Sequence, residues 1–286
     1  MERDLLKKVR KIEIKTKRLS SNIFAGQYHS AFKGKGMAFS QVREYNYGDE
    51  IRSIDWNVTA RFNHPYVKIF EEERELTVVL LIDVSGSTFF GTDKVLKSEI
   101  ITEIAAVLSF SAIANNDKVG VIFFSDRVEK YIPPKKGVSH ILRIIRELLS
   151  FKPSESKTSF EAPLRFFSSV IKKRATCFLI TDGYSAFDEK SLRIAAQKHD
   201  LSLLIVRDER EYRLPNIGLM ELKDAESDRT IWIDTSDKRQ IRDFATFRRQ
   251  QDEQLQLQLK RMGIANVTLM TSDDYIKALM KLFSIK

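Results

Sequence analysis

The chain has 286 residues, 43% hydrophobic and 30% charged, an ordinary globular composition that supplies a sizeable core and excludes wholesale disorder. The formal net charge of +9 favours acidic partners: an acidic protein face, anionic lipid or nucleic acid. A single cysteine, Cys177, excludes a disulfide framework and fits a reducing compartment.

In chain order, Arg3–Leu19 reads as a basic helix, because Leu5, Val9, Ile12 and Leu19 recur at helical spacing while lysines and arginines fill the other face. No apolar h-region follows this charge, and no stretch approaches the ~20 apolar residues of a membrane span. The expectation is a cytoplasmic protein, with peripheral contact at the inner face of a membrane open to the basic helix. Ser30–Gln41, with Gly34 and Gly36, predicts a loop. Tyr66–Phe70 and Glu75–Ile82 predict strands, and from there short apolar runs alternate with helical periodicity. The runs Val78–Ile82, Lys118–Phe124, Ala175–Thr181, Leu201–Val206 and Ala265–Met270 predict buried strands, with Glu129–Ile132 a short edge strand. Lys94–Ala114, Ser139–Leu149, Ser159–Val170, Asp188–Lys198, Ser236–Met262 and Asp273–Phe283 predict helices. Gly218–Leu222 and Thr230–Ile233 predict a hairpin around Asp224–Asp228. The implied organisation is a basic extension over 1–74 and one α/β domain over 75–286, a doubly wound, mostly parallel sheet with helices on both faces.

Such sheets bind ligands beyond the carboxyl ends of their strands. Two acidic loops fall at such ends: Asp83-Val84-Ser85-Gly86-Ser87 after Val78–Ile82, and Thr181-Asp182-Gly183 after Ala175–Thr181. Oxygen side chains at alternate loop positions can aim at one point, and Gly86 permits a tight turn between Ser85 and Ser87. Hard cations such as Mg²⁺ or Mn²⁺ accept carboxylate and hydroxyl oxygens. Asp182 offers a second carboxylate, and Thr158, in the polar loop Ser154–Ser159, another hydroxyl. The plainer reading of Asp83-Val84-Ser85-Gly86-Ser87 is a turn and cap cluster ahead of the next helix.

The run Leu81-Ile82-Asp83-Val84-Ser85-Gly86-Ser87, then Thr158, then Thr181-Asp182-Gly183, resembles the metal-ion-dependent adhesion site of von Willebrand factor A domains. That resemblance implies direct ligation by Ser85, Ser87 and Thr158, with Asp83 and Asp182 acting directly or through water, and an acidic residue of a protein ligand completing the shell. Further blocks are similar to a bacterial family catalogued as domain of unknown function 58. They include Phe32-Lys33-Gly34-Lys35-Gly36, Val42-Arg43-Glu44-Tyr45, Gly48-Asp49, Arg52-Ser53-Ile54-Asp55-Trp56, Ala60-Arg61, Tyr66-Val67-Lys68 and Glu71-Glu72-Glu73-Arg74. The later segments Ile217-Gly218, Trp232-Ile233-Asp234 and Thr271–Phe283 also fit. The resemblance implies a metal-dependent adaptor partnered with MoxR-type AAA+ ATPases, and it transfers no catalytic residue.

The block from Arg43 to Arg61 admits two readings. Arg43, Arg52 and Arg61 with Asp49 and Asp55 suit an ion-pair network that pins the extension, with Trp56 as a hydrogen-bonded anchor. Alternatively Arg43, Arg52, Asp55, Trp56 and Arg61 form a partner-recognition face. Enzyme readings are weak. There is no G-x-x-x-x-G-K-[ST] phosphate loop. Ser85 stands where a haloacid-type phosphotransferase needs its second aspartate. Nothing resembles a G-x-S-x-G elbow, and His29, His64, His140 and His199 show no metal spacing. Nucleic-acid binding would draw on Phe24, Tyr28, Phe32 and Phe39 interleaved with Lys33, Lys35 and Arg43, a density that more often builds core.

Overall fold

The structure is a computed structural model that describes residues 2–19, 38–71, 75–92, 96–151, 157–185, 187–223 and 230–285. Contacts divide the chain into two units: a larger one comprising Met1–Ala31 and Thr77–Lys286, and a smaller one, Phe32–Leu76.

The smaller unit pairs β1 (Ala38–Glu44) antiparallel with β2 (Tyr66–Glu71), and between them runs a short helix, Trp56–Phe62. The expected loop over Ser30–Gln41 therefore gives way to strand from Ala38 onward, while 30–37 lie outside the described residues. The polar run Ala-Phe-Ser-Gln-Val-Arg-Glu carries no apolar alternation strong enough to announce a strand, and it is pairing to β2 that fixes it.

The larger unit is built on six strands: β3 (Thr77–Asp83), β4 (Lys118–Phe124), β5 (Val128–Lys135), β6 (Thr176–Thr181), β7 (Asp200–Arg207) and β10 (Ala265–Met270). They stand in the order β10-β7-β6-β3-β4-β5, all parallel except the edge strand β5. This is the doubly wound α/β sheet expected from the alternating pattern. Strands β3, β4 and β6 are covered on both faces, so their uninterrupted apolar runs are what a two-sided core requires. Edge strand β5 runs on through Pro133 and Pro134, beyond the expected stop at Ile132, because an edge position tolerates prolines that a central ladder would reject. Opposite them Gly120 leaves room that no side chain could occupy: an added Cβ would stand 2.8 Å from Pro134 Cγ. A separate hairpin, β8 (Leu219–Lys223) with β9 (Thr230–Asp234), forms where the sequence predicts one; Asp224–Asp228 lies outside the described residues.

The helices of this unit are α1 (Glu2–Leu19), α3 (Lys97–Ala114), α4 (Val138–Ser150), α5 (Glu161–Val170), α6 (Glu189–Lys198), α7 (Lys238–Arg261) and α8 (Tyr275–Ser284), with α2 being Trp56–Phe62 of the smaller unit. On one face of the sheet Val79, Leu81, Cys177 and Leu179 pack with Phe160, Leu164 and Phe167 around α5, Leu192 and Ala195 of α6, and Leu255 and Leu259 of α7. Helix α3 lies in the opposite layer and is buried almost all round. The reason is α1, whose Val9 joins Ala106 and Phe110 of α3 and Ile141 and Ile145 of α4 in a second apolar cluster. Lys15 of α1 also pairs with Glu103 at 2.5 Å and Lys8 with Glu99 at 3.5 Å. The boundary drawn from sequence at 74/75 therefore assigns α1 to the extension, whereas its packing places it in the larger unit.

Candidate functional site

The chain builds β3, then β4 on one side of it, and later crosses to β6 on the other side. The order of strands thus reverses about β3, and a crevice opens beyond the carboxyl ends of β3 and β6. Asp83 ends β3 and Asp182 follows β6, so both acidic loops meet at that crevice.

Local hydrogen bonds shape the first loop. The Ser85 backbone N–H donates to Asp83 Oδ1 at 2.9 Å, and the Thr88 hydroxyl donates to the Ser85 carbonyl at 2.8 Å, closing a 3₁₀ turn over Gly86–Phe89. The Ser85 and Ser87 hydroxyl oxygens consequently face each other at 3.1 Å. The second loop is joined to the first through Thr181, whose hydroxyl donates to Asp83 Oδ2 at 2.7 Å and accepts from Gly183 N–H at 3.0 Å. Gly183 turns there with φ +68°, where a side chain would be strained.

Asp83 and Asp182 are both about 1% exposed. Burial, and then the negative charge of Asp182, push the Asp83 carboxyl up to about 7, against the opposing pull of hydrogen bonds from Ser85 and Thr181. A nearby cation would relieve that excess of negative charge. The two serine hydroxyls suit such an ion: ligands about 2.1 Å from a six-coordinate Mg²⁺ and at right angles to each other stand about 3 Å apart. The donor set of hydroxyls and carboxylates is hard and oxygen-based, which matches Mg²⁺ or Mn²⁺. Thr158 lies half-buried in the loop before α5, and the adjacent Ser159 N–H donates to the Ser125 carbonyl at 2.9 Å, tying that loop to the end of β4 beside β3. Among the described residues no three His, Cys, Asp or Glu side chains gather at one point, so the candidate rests on hydroxyls with Asp83 and Asp182.

Sequence reasoning missed a second set of residues at the same crevice. Lys97, the first residue of α3, is completely buried, and its ammonium donates to Asp182 Oδ2 at 2.9 Å and to Glu211 Oε1 at 2.7 Å. Glu211 closes a capping box in the turn after β7, where its Oε2 accepts from Asp208 N–H at 2.8 Å. Asp208 in turn accepts from the hydroxyls of Thr92 and Thr271. Burial pushes its carboxyl up, but those hydrogen bonds outweigh it and hold the group below the usual carboxylate range. Buried Arg207 reaches Asp252 at 2.6 Å and stacks 3.9 Å over the Tyr184 ring. The one signal in the sequence was Asp208-Glu209-Arg210-Glu211, a third acidic loop at the end of a central strand. Around the first loop the surface turns apolar: Phe89, Phe90 and Leu96 are 44%, 46% and 40% exposed.

The network expected over Arg43–Arg61 forms only in part. Arg43 makes a two-pronged pair with Asp49, at 2.8 and 2.7 Å. Asp55 instead caps α2, accepting from Asn57 and Val58 N–H at 3.0 and 3.2 Å, with Lys68 at 3.5 Å. Arg52 and Arg61 are exposed, and Trp56 is 67% exposed rather than a buried anchor. Trp56 follows its capping residue, Asp55, directly. Phe24, Tyr28, Phe32, Lys33 and Lys35 lie outside the described residues, as does His29. His64 is exposed, while His140 and His199 are buried, His140 Nε2 lying 2.9 Å from the Val119 carbonyl oxygen. Cys177 is buried in the core.

The sequence is 26% identical over 222 residues to the uncharacterized protein Rv1480 of Mycobacterium tuberculosis, covering 77% of this chain and 70% of that one. It is also 26% identical over 122 residues to the uncharacterized protein YeaD of Bacillus subtilis, covering 43% of this chain and 27% of that one. Among solved structures it is similar to the conserved hypothetical protein BatB from Bacteroides thetaiotaomicron, with a TM-score of 0.49 and 18% identity over 73% of this chain and 97% of that one. It is likewise similar to the SpRpn10 VWA domain, with a TM-score of 0.42 and 10% identity over 74% and 96% of the two chains. The family model described as protein of unknown function DUF58 matches residues 41–254, and the chain belongs to that family.

Proposed function

We propose that this protein is a non-enzymatic adaptor that binds an acidic segment of another protein through a divalent cation held at the β3–β6 crevice. The observation that carries this reading is the 3.1 Å pair of Ser85 and Ser87 hydroxyls beside Asp83, whose buried carboxyl calls for a counter-charge. Ser85, Ser87 and Thr158 would hold Mg²⁺ or Mn²⁺, with Asp83 and Asp182 balancing its charge. A bound ion supplies an electrophilic position for a partner's carboxylate, and the exposed Phe89, Phe90 and Leu96 supply apolar contact around it. Family resemblance makes a MoxR-type AAA+ ATPase the partner to test first.

The test is affinity capture from native lysate with Mg²⁺ or with chelator, comparing the wild type with Asp83→Ala. A partner retained only by the wild type in Mg²⁺ is the expected outcome. The same partners in all four samples would overturn metal gating.

A second reading rests on α1. Lys7, Arg10, Lys11 and Lys17 are exposed, together with Leu6 and Ile14 at 52% and 65%. That face suits peripheral contact with an anionic membrane surface. Among the described residues no helix is long and apolar enough to cross a membrane. Sedimentation with phosphatidylserine vesicles that is abolished by added salt would support this reading, and equal sedimentation with neutral vesicles would remove it.

A further inference from the structure

A lysine that is completely buried needs a reason, because withdrawing an ammonium from water is costly unless its partners are well placed. Lys97 has two carboxylate partners, and one of them is Asp182, an aspartate of the candidate metal site. Its backbone is fixed to the same loop: Lys97 N–H donates to the Phe90 carbonyl at 3.0 Å, at the end of the turn that carries Ser87. The ammonium also lies 5.3 Å from the centre of the Tyr184 ring, two residues after Asp182. Its position is therefore set from three sides, unlike a passing surface contact.

We propose that Lys97 is a resident counter-cation that sets the affinity of the metal site. Its ammonium occupies the Asp182 oxygen that a divalent ion would otherwise draw in, and it adds a like charge beside that ion. The inference rests on the metal-site reading given above. Glu211 shares the ammonium, so this arrangement also ties the crevice to the turn after β7, which Asp208 anchors to Thr92 and Thr271. The intrinsic affinity for a bare ion is thereby held down, which leaves room for a partner's carboxylate to supply the missing negative charge. A purely structural ion pair would set the stability of the protein and leave its preference for an ion untouched.

The test measures Mn²⁺ binding by titration calorimetry and by the electron paramagnetic resonance signal of free Mn²⁺, using the full chain. Lys97→Met is expected to tighten Mn²⁺ binding at least tenfold, since it removes a unit positive charge from beside a divalent ion in a buried setting. The double variant Lys97→Met with Glu211→Gln replaces the ion pair by a neutral pair of similar shape and leaves the net charge unchanged. It guards against misfolding of the single variant and against a mere change of overall field, and it too is expected to bind Mn²⁺ more tightly than the wild type. Affinity equal to or weaker than wild type in the double variant overturns the role of Lys97. Adding Ser85→Ala and Ser87→Ala to either background is expected to abolish binding. Binding that survives those serine changes places the ion elsewhere and overturns the metal site itself, whatever the Lys97 result. No Mn²⁺ bound by any variant overturns both.

Discussion

Asp83 carries the sharpest consequence of the geometry at the scale of a single residue. Its carboxyl is buried beside Asp182 and raised to about 7, so in the absence of metal the ionised form is held in an unfavourable place. Asp83→Asn is expected to raise the melting temperature in chelator, by the equivalent of roughly 1 kcal/mol or more, while abolishing any response to Mg²⁺. A lowered melting temperature in chelator would show instead that the bonds from Ser85 and Thr181 need the full carboxylate. His140 contributes on the acid side, as does His199, whose proton affinity burial also lowers. For His140, burial is the larger effect and lowers its proton affinity, although its bond to the Val119 carbonyl opposes this. A depressed imidazole means that the unfolded chain binds the proton more readily, so stability is full above about 6.5 and is lost as the pH falls beneath that value. His140→Gln keeps a donor for the Val119 carbonyl and is expected to lose less stability than the wild type between about pH 7.5 and about pH 5.5. Equal losses in thermal melts of the two proteins would remove His140 from the account. At this scale the place of Asp83, Ser85, Ser87 and Asp182 at strand ends was legible in the sequence, because each follows an apolar run of strand length. Lys97 was not, because one lysine at the head of a helix looks like any solvated charge until the fold brings it to Asp182.

Helix α1 shows how an element changes its meaning with its neighbours. Its periodicity announces an amphipathic helix, and the surface that it covers is α3. The cluster of Val9 with Ala106, Phe110, Ile141 and Ile145 makes α1 part of the larger unit. Val9→Ala is expected to destabilise that unit by about 1–2 kcal/mol in urea melts, the cost of removing buried methyl groups. A chain shortened to Thr77–Lys286 is expected to lose more, because Phe110 and Ala106 would meet water. Unchanged stability of the shortened chain would mean that α1 only rests on the surface. Strand β1 is the opposite case. Ala38–Glu44 gives little apolar alternation, and its ladder with β2 exists through pairing alone. The same reasoning covers β5, where edge position rather than local propensity admits Pro133 and Pro134.

For the molecule as a whole, a divalent ion that binds only the folded chain must raise its stability with concentration. At about a hundred times its dissociation constant the gain is roughly 2.7 kcal/mol. Thermal melts in increasing Mg²⁺ are therefore expected to shift the wild type upward and to leave the Ser85→Ala, Ser87→Ala double variant unmoved. Equal shifts would place the ion outside the crevice. The sequence by itself determined the alternation of strands and helices, the doubly wound class of the sheet, and the two acidic loops at strand ends, because periodicity and turn chemistry act over a few neighbouring residues. Tertiary structure decided that α1 covers α3, that Trp56 faces outward while Asp55 caps its helix, and that Lys97 joins Asp182 to Glu211. The Lys97 pairings link residues 85 and 114 positions apart, and no local pattern encodes them. They follow only once the order of strands about β3 brings three loop ends into one crevice.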